Sequence, residues 1–210
     1  MKLFEPARCH GNIVFKFEGS AVDQLSAYAT GYHDAGKTLA SQLEKAPGYA
    51  DYEGYPILFL YRHALELYLK AIVYSGAKLV GLISDETVDY QKLFQRHTLG
   101  TFLPALKVIW DQMGWSWDFG VDGFRSLSDF KSLIEEWDRI DRNSDVFRYP
   151  IKKNFDANLP EHFVVNVVML SRRMDPILEC LDGVVTGIDT EWDHAAEIIY
   201  ETEQIIRDAL

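Results

Sequence analysis

The chain is poor in cysteine, in positive charge and in uninterrupted apolar runs, and each shortage excludes a class of protein. Only Cys9 and Cys180 occur in 210 residues, with no Cys-x-x-Cys spacing. That excludes a disulfide framework and a cysteine-ligated zinc site, and it leads us to expect reduced thiols in a cytoplasmic protein. The apolar stretches around Ile57 and at 163–170 are broken by charge or too short to span a bilayer, so no membrane role is expected. The opening MKLFEPARCHG lacks the apolar core and small-residue cleavage site of a secretory signal. Strand-like alternation is confined to NIVFKF at 12–17. With 21 basic against 32 acidic residues the formal charge is −11, so nucleic acid finds no general attraction. A nucleic-acid ligand would need a local basic patch. Arg139, Arg142, Arg148, Lys152, Lys153, Arg172 and Arg173 offer one within 35 positions.

What the chain has is apolar residues at helical spacing. A 48% hydrophobic composition suffices for one well-formed core. Val22–Lys45 is predicted helical, weakened by Gly31 and Gly36 and ended by the Ala-Pro-Gly at 46–48. A second helix is predicted over Pro56–Gly76, and two pieces between Tyr90 and Met113 are divided near Gly100 and Pro104. The glycine- and aspartate-rich run at 111–123 reads as a loop. A helix follows over Ser126–Arg142, then an irregular stretch to Leu159. Pro160 is expected to start another helix with Phe163 and Val164 inward, kinked or ended near Pro176. A separate last helix is expected over Glu191–Ala209, with Trp192, Ala195, Ile198, Ile199, Ile205 and Ile206 on one side. The expected architecture is an all-α, single-domain bundle of five to seven helices over 21–210, preceded by an irregular segment at 1–20.

The Pro56–Gly76 helix carries the most information. At 100° per residue, Arg62, His63, Glu66 and Lys70 share about 100° of its circumference, and apolar side chains cover the rest. A helix so apolar belongs at the centre of a bundle. Its charged stripe must then face a groove, a partner chain or a closed ion network, because unpaired charge is rarely left inside. If the stripe is an ion ladder, Asp138 and Asp145 are candidates to close it.

Other motifs carry less. Gly31–Thr38 fits the phosphate-loop spacing GxxxxGK[ST], but that loop must follow a strand, and 21–30 looks helical. Helix-interior glycines are the simpler reading, with a phosphate-loop NTPase as the remote alternative. Glu191-x-x-His194 has the order of a di-iron ligand pair, but the sequence shows no companion set, so no metal and no cofactor are expected. No GxSxG occurs, and neither cysteine has a catalytic context.

Taken in order, YRHALELYLKAIVYSG at 61–76, His-Thr-Leu at 97–99 and RNSDVFRYP at 142–150 resemble the HEPN-domain superfamily over about residues 56–181. The resemblance implies a helical bundle that commonly forms homodimers. It also implies binding of nucleotides, RNA or a partner protein, often in toxin–antitoxin or defence systems. Many such proteins are metal-independent ribonucleases using an Arg-x(4–6)-His pair. Arg142 and Asn143 resemble the start of that pair, yet 147–149 hold Phe147, Arg148 and Tyr149, and no arginine in the chain has a histidine five to seven positions on. The expectation is therefore a binding module without catalysis. Arg142 and Arg148 would contact phosphate, supported by Arg62, His63, Glu66, Lys70, His97, Asn143, Asp145 and Tyr149. The alternative is a divergent ribonuclease recruiting His63 or His97.

Overall fold

The computed structural model describes residue 13 and residues 24–45, 51–81, 92 and 95–209. The described residues form an all-α bundle with five α-helices: α1 (Leu25–Lys45), α2 (Asp51–Leu79), α3 (Leu103–Met113), α4 (Leu127–Asp141) and α5 (Val167–Ala209). A short 3-10 turn at Leu99–Phe102 leads into α3. The predicted strand at 12–17 lies outside the described residues except for Ile13, which is exposed. No described helix is long and apolar enough to cross a membrane.

The central helix is α2, for the reason its sequence suggests. Ile57, Tyr61, Ala64, Leu65, Leu69 and Ile72 are wholly buried. α1, α5, α3 and the 3-10 turn all pack against it. It begins at Asp51 rather than at Pro56. Proline at its sixth position forfeits only the bond that an N–H there would make to the Tyr52 carbonyl, and this close to the helix start the loss is tolerated. Two glycines let helices approach. A Cβ at Gly36 would meet the Tyr61 ring at 3.3 Å, and one at Gly76 would meet Ile109 at 3.0 Å. The glycine that weakens α1 in isolation is thus the one that seats it on α2. Gly31–Thr38 lies inside the continuous helix α1, which rules out the strand–loop–helix context of a phosphate loop.

The largest correction concerns α5. The two helices expected from Pro160 and Glu191 are one 43-residue helix, and it starts at Val167, not at Pro160. The start is set by Asn166, whose Oδ1 accepts the Met169 N–H at 2.9 Å as an N-cap does. Val164, expected inward, is 86% exposed. Pro176 neither ends nor divides the helix. Met174, Ile177, Leu178 and Leu181 on both sides of it are buried, which offsets one missing backbone bond. α3 and α4 match the predicted boundaries within a residue or so, and α4 is capped by Ser126, which accepts from the Asp129 N–H. The loop between them is held by aromatic rings rather than by secondary structure. Trp117 stacks on Trp110 at 4.6 Å, and Phe119 packs at 5.4 Å from Phe130.

Candidate functional site

The charged stripe of α2 folds into a closed network around Glu66. Arg62 Nη1 donates to Glu66 Oε2 at 3.0 Å, and Lys70 Nζ donates to Oε1 at 2.7 Å. His97 Nδ1 lies 3.0 Å from the same Oε1. Arg62 is fully buried, and its remaining nitrogens bond backbone carbonyls. Nη2 donates to His97 O at 2.5 Å and Nε to Asp141 O at 3.3 Å. Burial by itself would push the Glu66 carboxyl up. The charge and hydrogen bond of Lys70, then Arg62 and His97, outweigh it and hold the group below the ordinary carboxylate range. Glu66 is therefore ionised and can only accept. His97 therefore donates from Nδ1, so that in the neutral imidazole Nε2 is the acceptor, on a side chain 47% exposed.

The partners that close the stripe are not those expected. Asp138 does not reach Arg62. It accepts from the N–H groups of Leu99 and Gly100, both at 2.8 Å, and so caps the 3-10 turn that follows His97. Asp145 stays outside the network; its backbone N–H donates to Asp141 Oδ1 at 2.8 Å. Asp141 is buried and organises the turn after α4, since the same Oδ1 also accepts from Val146 N–H at 3.1 Å. Its Oδ2 has no hydrogen-bond partner among the described residues. Within that turn Ser144 is buried at φ 58°, a left-handed value that side chains seldom adopt. Its carbonyl accepts Arg148 Nε at 2.6 Å, which directs that guanidinium.

The outer edge of the network is aromatic and cationic. His63 stacks on Phe59 at 5.3 Å and meets the Tyr32 ring edge-on at 4.6 Å. Arg148 lies over the rings of Phe59 and Tyr149, at 5.7 and 5.5 Å. Burial lowers the His63 basicity, and the charges of Lys70, Arg62 and Arg148 add to this against the opposing pull of Glu66. All seven cations of the predicted basic stretch are exposed. The structure thus brings His97, Glu66, Lys70 and Arg62 together, with His63, Arg148 and Tyr149 alongside. Arg142 and Asn143 are exposed at the end of α4, next to Asp141. Arg62 is no ligand-facing group, because it is sealed.

Residues that the sequence did not single out are Phe59, Tyr32 and Asp141. Phe59 is one helical turn from His63, so spacing alone could have found it. The other two come from distant segments, and no local pattern marks them. A second polar seam joins α1, α2 and α5. Asp175 accepts from Tyr61 at 2.6 Å and lies 2.9 Å from His33, and Asp182 accepts from Tyr68 and Thr30. Burial first, then Asp175, pushes the Tyr61 hydroxyl well above its ordinary value, so it stays a donor. Burial likewise pushes the Cys180 thiol up, which leaves it a poor nucleophile. No group of three or more metal-ligating side chains converges among the described residues, and Glu191 and His194 are exposed on α5. No family model matches the chain, and neither the curated proteins nor the solved structures give a significant match.

Proposed function

We propose that the chain is a HEPN-like binding module that takes a phosphate-bearing ligand, RNA or a nucleotide, on the face formed by His97, His63, Arg142 and Arg148. The observation that carries this reading is the double duty of Arg62. One buried guanidinium donates to the carbonyls of both His97 and Asp141. It therefore holds the exposed imidazole of His97 beside the turn that bears Arg142 and Arg148. Glu66 sets the His97 tautomer from behind, and the Ser144 carbonyl aims Arg148. Tyr149 supplies an exposed ring on which a base can stack. The buried charges serve as a frame, and the exposed cations meet the ligand.

The test is a low-salt titration of a labelled single-stranded RNA, with a mononucleotide arm to separate the two ligand sources. Arg142→Ala plus Arg148→Ala should abolish most binding. For two phosphate contacts on a single strand, log affinity should fall against log salt with a slope of about −1.4. Unchanged binding by the double variant would overturn the assignment.

One observation favours a second reading, metal-independent ribonuclease activity. Glu66 engages Nδ1 of a half-exposed His97, so in the neutral imidazole Nε2 is the acceptor, the role a general base needs at a ribose 2′-hydroxyl. On that reading His97 Nε2 takes the 2′-proton while the oxygen attacks the adjacent phosphorus, and the departing 5′-oxygen takes a proton from an acid such as solvent. An RNA cleavage assay in EDTA decides it. Activity that is lost in His97→Ala supports the reading, and activity that survives in that variant excludes it.

A further inference from the structure

The most anomalous surface of the molecule is the far half of α5. Beyond Ile188, whose side chain is fully buried, the helix continues to Ala209, and nearly every residue from 189 to 207 is exposed. Its apolar residues are not scattered. Leu178, Leu181, Val185 and Ile188 form the buried stripe of α5 at alternating spacings of three and four. The same phase runs on through Trp192, Ala195, Ile199, Thr202 and Ile206, widened by Ile198 and Ile205. The core stripe therefore leaves the globule without a change of character. Helices in proteins draw most of their stability from packing an apolar face, so a stripe this regular calls for a covering surface.

Charge narrows what that surface is. Thr190–Ala209 carries six carboxylates against one guanidinium. Two such helices laid together would bring like charge together, whereas a cationic apolar groove would complement the segment. This chain has such a groove. A cavity of about 530 Å³ lies between the body of α2, α4, the 163–166 segment and the start of α5. Its walls include Leu133, Ile140, Phe163 and Met169, and Arg139 and Arg173 stand in its lining. The one carboxylate in that lining, Glu136, is 4.0 Å from Arg139. A molecule cannot fill its own groove. Arg173 and Ile199 lie on one continuous helix, about 39 Å apart along its axis.

We infer that the projecting half of α5 docks in the Arg139–Arg173 groove of a second copy of this chain. Reciprocal exchange covers both helices and fills both grooves, and it closes on a two-fold axis; one-sided docking would propagate into a chain. The inference does not rest on the ligand reading at His97 and stands or fails separately from it.

Sedimentation of the full chain and two variants provides the test. The wild type should self-associate with rising concentration, more weakly at high salt. Ile199→Ser/Ile206→Ser and Arg139→Glu/Arg173→Glu should each associate at least about tenfold more weakly while keeping the helical circular dichroism of the wild type. Mixing the two variants pairs one intact helix with one intact groove. The mixture should associate more tightly than either variant alone and less tightly than the wild type. A wild type that stays monomeric overturns the inference, as does a groove variant that associates as well as wild type or a mixture that gains nothing.

Discussion

α2 and the far half of α5 invert the usual arrangement in opposite senses. In α2 an arginine, a glutamate and a lysine are buried at the centre of the bundle. In α5 isoleucines and a tryptophan stand in water. The α2 inversion is resolved within the chain, because each buried charge finds an opposite charge or a carbonyl at hydrogen-bond distance. The α5 inversion is not, because no described residue covers its stripe. Buried charge that is fully paired makes a rigid frame, and exposed apolar surface that is regular makes an interface. The pairing also explains why the stripe that looks most like an active site is mostly scaffold. Only His97, and in part His63, reach outward from it.

Substitutions at the two regions should separate these cases, and Glu66→Ala should have the largest effect. It removes the carboxylate that Arg62 and Lys70 share in the interior, and urea unfolding should show a loss of about 3–5 kcal/mol. An Asp138→Ala change removes the acceptor of two backbone N–H groups in the 3-10 turn. We expect it to cost about 2–3 kcal/mol and to loosen the His97 segment, read by hydrogen exchange at Leu99 and Gly100.

Acid should break the frame before it touches the projecting helix. The Glu66 carboxyl is held below its ordinary 4.5 in the fold. Its stabilising contribution is present above that value and is lost as pH falls through the depressed one. Unfolding free energy should therefore fall more steeply below about pH 5 in the wild type than in Glu66→Gln. His63 gives a smaller signal of related kind. Its basicity is lowered in the fold, so the unfolded chain binds a proton first and stability declines as pH drops below 6.5. An NMR titration should place its midpoint under that value, and Arg148→Ala should move it back up. The smallest effect belongs to α5. Ile199→Ser should change monomer stability by no more than about 0.5 kcal/mol, which a thermal melt at low concentration would check; a large loss would mean that the stripe packs within its own chain.

Much of the frame was legible in advance. The four-residue spacing of Arg62, Glu66 and Lys70 marked one helix face, and the apolar remainder marked that helix as central. The closing partners were not legible. Arg62 meets residues 35 and 79 positions away, and it meets their carbonyls, which every residue possesses. Asp138 and Asp145 were reasonable candidates by charge. Asp138 serves two backbone N–H groups of the 3-10 turn instead, and in the turn after α4 the carboxylate that accepts backbone N–H groups is Asp141, with Asp145 supplying a donor. Pro160 misled for a related reason. Proline permits a helix start, but the side-chain cap at Asn166 decided where α5 began.

The sequence by itself determined that the chain is helical, that α2 lies at its centre and that charge accompanies it there. Periodicity is a local property, and it survives in any context that buries one face. Tertiary structure alone decided which charges are sealed and which meet solvent, and that α5 carries its core stripe past the edge of the core. Burial depends on which segments arrive opposite a side chain, and those segments are set by packing across the whole chain rather than by any neighbour in sequence.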